Sequence, residues 1–127
     1  DEETAAVLRR RLGEVAEMTA RAHGCSAAIE VRRGCPVTVN DPGATRRVVE
    51  AAGEALGPDR VIALDAPTMA AEDFSVYGRR VPACFFFLGL GPGSGGTGPR
   101  LHTPEFDFDD DALRPGVSVL CRLALVR

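Results

Sequence analysis

The sequence contains no lysine, and all 15 basic residues are arginine. Together with 18 acidic residues they give a net charge of -3, which is too small and of the wrong sign for nucleic-acid binding. No apolar run reaches the roughly 18 residues that a transmembrane helix needs, and no segment has the pattern of a signal peptide. We therefore expect a cytoplasmic protein that binds neither nucleic acid nor membrane.

Two common hydrolase and nucleotide motifs are also missing. Ser75, Ser94 and Ser118 stand outside any G-x-S-x-G sequence, so a serine hydrolase is not indicated. The glycine-rich stretch 91–98 lacks the lysine of a P-loop, and a flexible loop beside a pocket fits it better than a phosphate site. The four cysteines form no C-x-x-C pair. We expect free thiols, with Cys84 and Cys121 buried as small apolar residues.

The first half of the 127-residue chain alternates helical and strand patterns. Apolar residues at helical spacing predict a helix over 3–22, which Gly24 ends. Alternation predicts a strand over 29–32 that resumes over 37–40. Asp41 and Pro42 are typical of a helix start, and that helix is expected to run to Leu56. With a short strand over 61–64, the order is helix–strand–helix–strand.

The second half begins near residue 66, where we place a domain boundary. A helical turn is predicted over 71–77, and a buried strand over 83–90. A final helix is expected from Arg114 and Pro115 onwards. Its inward residues are expected to be Val117, Leu120, Leu123 and Ala124. The predicted fold class is α/β.

His102 is the leading candidate for chemistry. It follows the predicted strand and the glycine-rich loop, and it precedes the acidic run 107–111. Imidazole is the commonest metal ligand in proteins, and nearby carboxylates can orient its second nitrogen. A single histidine in a loop is more often simply solvated, and the acidic run also suits a helix N-terminus. The only other histidine, His23, is explained by its position at a helix C-terminus.

Two further polar positions are candidates for the same site. Glu72 and Asp73 lie beside the aromatic Phe74, where they could cap a helix or brace a metal site. Asn40 ends a predicted strand and precedes a helix, which is typical of a turn. The functional interpretation of Asn40 is that its polar side chain reaches into a substrate pocket.

Several of these motifs, in this order, resemble one enzyme family. They are Met69–Ser75, Val81-Pro82 with Phe85–Gly89, and Leu101–Pro104 with Phe106–Phe108, preceded by Arg33-Gly34, Pro36 and Val39–Asp41. The sequence resembles the C-terminal part of the N-acyl-amino-acid amidohydrolases, which include hippurate hydrolase and the indole-acetyl-amino-acid hydrolases. These enzymes are aminoacylase/carboxypeptidase-like metallopeptidases with two metal ions.

The resemblance implies a fold, a reaction and roles for individual residues. It implies part of a ferredoxin-like lid over 1–66 that commonly dimerises, followed by the C-terminal portion of an α/β catalytic domain over 67–127. It implies hydrolysis of the amide bond of N-acyl amino acids by a metal-activated water, with zinc, manganese or cobalt as the metal. By motif, His102 matches the last metal ligand, Glu72 an acid that supports the site, and Asn40 a position facing the substrate.

The other ligands and the general base of such enzymes have no counterpart in this sequence. We therefore expect a fragment of a metal-dependent amidohydrolase that is inactive alone, with an incomplete metal site. A chain of another protein could also complete it. The alternative is a non-catalytic module that dimerises or binds a partner.

Overall fold

The computed structural model describes residues 1–90, 101–107 and 109–125. These residues group into two compact units. The first unit consists of Asp1–Val39 and Met69–Arg80, and the second unit of Asn40–Thr68 and Val81–Arg127. The predicted loop 91–98 and Phe108 lie outside the described residues. The predicted boundary at residue 66 stays a prediction.

Helix α1, Glu2–Ala22, begins the first unit. The Asp1 carboxylate accepts a hydrogen bond from the Thr4 N–H at 2.7 Å, which satisfies a helix N–H that has no partner within the helix. Beyond the C-terminus, Gly24 has a φ of 68°, a conformation that glycine adopts without steric cost. The predicted helix over 3–22 and its stop at Gly24 are therefore confirmed.

The remainder of the first unit contains one short helix, α3, Ser75–Gly78. The Glu2 carboxylate of α1 pairs with the guanidinium of Arg79, the residue after α3, and accepts a hydrogen bond from the Val37 N–H at 3.3 Å. No residue of α1 is buried. Polar contacts, rather than an apolar core, therefore connect α1 to the rest of its unit.

The second unit is built on helices α2, Pro42–Leu56, and α4, Leu113–Leu125. Asp41 caps α2 through a 2.8 Å hydrogen bond from the Ala44 N–H, and Pro42 occupies the first turn, as predicted. The two helices pack against each other. Short 3₁₀ turns follow α2 at Pro58–Arg60 and precede α4 at Asp110–Ala112.

The core of the second unit consists of Ala51, Ala112 and Val119, which are buried. At the edge of the helix pair, the Arg122 guanidinium binds the Glu54 carboxylate at 2.7 Å. The inward face of α4 was predicted wrongly in part. Val117, Leu120 and Ala124 are exposed, Leu123 is half-buried, and Val119 is buried instead.

The predicted α/β class, with a ferredoxin-like lid and a catalytic sheet, is wrong for this structure. The segments 29–32, 37–40, 61–64 and 83–90 form no strand, and the described residues contain no sheet. A strand is stable only when its backbone groups pair with a neighbouring strand. Here side chains meet some of those groups, because Val37 donates its N–H to Glu2 and Phe85 pairs with Asn40.

The cysteines depart in part from the prediction. All four are free thiols, as expected. Cys84 is half-buried, but Cys121 lies on the exposed side of α4. The apolar run around Cys121 therefore does not bury it, because only one face of the helix contacts a neighbour.

Candidate functional site

His102 lies in a turn with its side chain exposed. Its φ of 67° makes it the one non-glycine residue in the described ranges with a left-handed backbone. Such a conformation costs a residue with a Cβ roughly 1–2 kcal/mol and is enriched at functional sites. The turn continues with a 3.0 Å hydrogen bond from the Phe106 N–H to the Thr103 carbonyl. An exposed imidazole in this position can bind an ion from solvent.

The acidic residues after His102 mainly serve the start of α4. The Asp109 carboxylate accepts a hydrogen bond from the Asp111 N–H at 2.9 Å, and the Asp109 carbonyl accepts one from the Ala112 N–H. These bonds form the turn Asp110–Ala112, which leads directly into α4. This arrangement agrees with the interpretation of the run as a helix start.

Asn40 belongs to the same unit as His102. Its carboxamide makes two hydrogen bonds with one residue: the Phe85 N–H donates to Oδ1 at 2.8 Å, and Nδ2 donates to the Phe85 carbonyl at 2.8 Å. A carboxamide has two N–H groups and two lone pairs on its oxygen. These bonds leave a further N–H and a further lone pair for another partner.

Glu72 belongs to the first unit and is half-buried. Its carboxylate accepts a hydrogen bond from the Phe74 N–H at 3.3 Å, and its carbonyl accepts one from the Ser75 N–H at 3.2 Å. Both bonds order the turn that leads into α3. Ser75 itself is only 2% exposed, and its hydroxyl has no hydrogen-bond partner.

The described residues do not bring together a complete metal site. No group of three or more His, Cys, Asp or Glu side chains that could hold a metal occurs within 1–90, 101–107 and 109–125. Catalytic zinc requires about three protein ligands. The chemistry of His102 suits a divalent metal, but further ligands would have to come from elsewhere, so no hydrolytic step can be derived from these residues.

Two contacts in the structure could not be predicted from the sequence: the hydrogen bonds between Asn40 and Phe85, and the ion pair between Glu2 and Arg79. The partner of Asn40 is the backbone of Phe85, and backbone groups are the same in every residue other than proline. The ion pair between Glu2 and Arg79 joins residues 77 positions apart, and neither residue belongs to a recognisable motif. Neither contact could be found without the tertiary structure.

Comparison with known proteins identifies the class of protein to which these segments belong. The chain is a member of the peptidase family M20/M25/M40, whose family model matches residues 4–126. Peptidases of this family are generally metal-dependent. The resemblance inferred from the motifs around Glu72 and His102 is thereby confirmed.

Individual relatives carry hydrolase names. The chain is 30% identical over 125 residues to YhaA of Bacillus subtilis (strain 168), named as an amidohydrolase, covering 98% of this chain and 31% of that protein. It is 30% identical over 121 residues to IAA-amino acid hydrolase ILR1-like 6 of Arabidopsis thaliana, covering 92% and 26%. It is 26% identical over 119 residues to N-acetyldiaminopimelate deacetylase of Pediococcus pentosaceus, covering 91% and 29%.

The chain therefore spans less than a third of the length of these relatives. No solved structure matches it. Neither α1 nor any shorter helix in the described ranges combines the length and the apolar character that crossing a bilayer requires.

Proposed function

We propose that this chain is part of a metal-dependent hydrolase that cleaves the amide bond of N-acyl amino acids. The observation that carries the proposal is the family match over residues 4–126. It is supported by the names of the relatives, two of which describe hydrolysis of an acylated amino acid. The protein is cytoplasmic in this proposal, and its substrate is a small molecule.

His102 binds the metal in this proposal. Its imidazole is exposed and lies on a left-handed turn that is characteristic of functional positions. Zinc, manganese and cobalt all suit a site of imidazole and carboxylate ligands. Since the described residues hold no group of three or more metal-binding side chains, this proposal places the remaining ligands outside them, and we expect the isolated chain to be inactive.

The other two candidate residues have supporting roles in this proposal. Glu72 orders the turn before α3 through its hydrogen bond from the Phe74 N–H, and so supports the site structurally. Asn40 contacts the substrate with the N–H and lone pair that its bonds to Phe85 leave available.

A homodimer is part of the same proposal. Five large apolar residues of α1 are exposed, and a second copy of the chain would remove them from water: Val7, Leu8, Leu12, Val15 and Met18. A non-catalytic role in dimerisation or partner binding is the second candidate, and the same surface favours it.

A calorimetric titration of the purified chain with Zn²⁺ and with Mn²⁺ tests the role of His102. We expect weak binding that His102→Ala abolishes and that His23→Ala, the matched control at the other histidine, leaves unchanged. Binding that survives His102→Ala would contradict the assignment of the ligand. Metal-dependent hydrolysis of an N-acyl amino acid by the isolated chain would contradict its expected inactivity.

A further inference from the structure

The Asn40 side chain pairs with Phe85 in the way that a neighbouring strand would. In a sheet, both the N–H and the C=O of one residue bond to the backbone opposite. Here the Asn40 carboxamide supplies the acceptor and the donor, each at 2.8 Å. Because the Phe85 N–H only donates and its carbonyl only accepts, this pairing also fixes which way the carboxamide points.

A third hydrogen bond strengthens the connection. The Asp41 N–H donates to the Ala83 carbonyl at 2.9 Å. The Asp41 side chain simultaneously caps α2 through the Ala44 N–H. The dipeptide Asn40-Asp41 therefore joins the segment 83–85 to the N-terminus of α2 by three hydrogen bonds.

The segment held in this way is also packed against the second helix of its unit. Gly116 of α4 lies so close to it that a Cβ added there would be 2.9 Å from Leu88 Cδ2. Phe85 and Phe87 meet edge to face, with ring centroids 5.3 Å apart. Phe85 therefore contacts Phe87, and Leu88, three residues after Phe85, lies against α4.

We propose that Asn40 is a positioning residue, whose carboxamide replaces a strand neighbour at Phe85 and fixes the segment 83–88 against α2 and α4. This segment leads along the chain to His102, so the role of Asn40 within a metal site rests on the proposed function. The pairing itself does not depend on that function. Asn40 consequently has a task in the protein besides any contact with substrate.

Asn40 can be observed directly, because the sequence contains one asparagine and no glutamine. In a ¹H–¹⁵N NMR spectrum of the metal-free chain it gives the only side-chain NH₂ signals from a carboxamide. We expect a scalar coupling through the hydrogen bond between Asn40 Nδ2 and the Phe85 carbonyl carbon. We also expect slow hydrogen exchange at the Phe85 amide.

Substitutions separate the carboxamide's role from a general loss of stability. At neutral pH, Asn40→Ala removes the acceptor of the Phe85 N–H, and Asn40→Asp places a carboxylate oxygen against the Phe85 carbonyl, which repels it and disrupts the pairing. Each substitution should therefore speed exchange at the Phe85 amide by about tenfold. Val39→Ala, which changes the exposed neighbouring residue, should leave that exchange unchanged.

Acid should rescue Asn40→Asp but not Asn40→Ala. Below about pH 3 the aspartate is protonated, and its carboxylic acid again offers one O–H donor and one acceptor to Phe85. The charged groups at the start of the adjoining helix α2 are Asp41, which is engaged by the Ala44 N–H, and Arg46, whose guanidinium lies near Gly43. The unsubstituted chain at the same pH controls for any effect of pH on these groups.

If acid restores slow hydrogen exchange at the Phe85 amide in Asn40→Asp, the proposal is supported. An absent coupling, or equal exchange at Phe85 in all variants, overturns it. Because every reading is taken without metal or substrate, metal binding that survives His102→Ala would contradict the proposed function alone. Loss of the pairing would contradict this inference alone.

Discussion

The two units of the molecule differ in the interactions that stabilise each of them internally. In the second unit, α2 packs against α4, and Ala51 of α2, Ala112 of the turn before α4 and Val119 of α4 are buried. In the first unit, the 21-residue helix α1 buries nothing and is connected by the polar contacts of Glu2. Exposed ion pairs contribute at most about 1 kcal/mol, whereas a buried aliphatic side chain contributes about 1.5–3 kcal/mol. The second unit should therefore be the more resistant to unfolding.

The largest effect is expected from placing a charge in the core of the second unit. Val119 is 2% exposed, and Val119→Asp puts a carboxylate there without a partner. We expect a loss of roughly 3–5 kcal/mol in the free energy of unfolding. Val117→Asp is the matched control on the same helix, because Val117 is 57% exposed. Equal losses in urea denaturation would show that the helix packs differently.

A smaller change in stability is expected when a glycine in α1 or in α4 is replaced by alanine, and its size should differ between the two helices. Gly13 in α1 has no atom near the position of a Cβ, so Gly13→Ala should stabilise the helix by about 0.5–1 kcal/mol. Gly116→Ala in α4 should gain less, since its Cβ would approach Leu88 Cδ2 at 2.9 Å. Circular dichroism during thermal unfolding measures both changes. A larger gain at Gly116 would contradict the close packing of α4.

The smallest effect concerns the pH dependence of the first unit. The hydrogen bond from the Val37 N–H, helped by the guanidinium of Arg79, lowers the pKa of the Glu2 carboxyl. A carboxyl whose pKa is lower in the folded state stabilises the protein above its unfolded pKa, and this contribution disappears as the pH falls through the folded pKa. We expect hydrogen exchange at the Val37 amide, measured relative to its intrinsic rate at each pH, to accelerate over that acidic range.

Glu2→Gln is the control for this pH dependence. It removes the titrating group but keeps an oxygen that can accept the Val37 N–H, so the acid-induced acceleration should vanish. Glu3→Gln, at the next position of α1, should leave the acceleration intact. If Glu2→Gln retained the full pH dependence, another group would be responsible for it.

The helices could be predicted because their signals are local. Asp1 and Asp41 cap the helices that they precede, and Gly24 and Gly57 follow their ends with positive φ. Each of these features depends on a few neighbouring residues. Strands depend on distant partners, and the alternation over 29–32 and 37–40 could not reveal whether such partners exist in this structure.

The face of α4 shows where periodicity by itself is insufficient. Two apolar stripes run along this region at the same helical spacing: Ala112, Gly116, Val119 and Leu123 form one, and Leu113, Val117, Leu120 and Ala124 form the other. Helical spacing favours both equally. The prediction combined Val117, Leu120 and Ala124 of the second stripe with Leu123 of the first, whereas small residues in the first stripe allow closer contact with a neighbour.

For the candidate site, the motifs predicted the family but not the contacts. The segments around Glu72 and His102 were sufficient to indicate the family that the match over 4–126 then showed. The roles of His102, Glu72 and Asn40 stay predictions. The sequence did not predict the pairing of Asn40 with Phe85, because this pairing joins a side chain to backbone groups 45 residues away.

The sequence by itself determined where α1 and α2 begin and end and where α4 begins, which family the chain resembles, and which residues could carry its chemistry. These properties depend on residue types at short spacings, which are fixed as soon as the sequence is known. The helical turn predicted over 71–77 is shorter in the structure, at Ser75–Gly78. Only the tertiary structure decided which face of α4 is buried, that no sheet forms among the described residues, and that Asn40 pairs with Phe85. These outcomes depend on groups distant in sequence competing for the same partners, and that competition is settled by packing and hydrogen bonding in three dimensions.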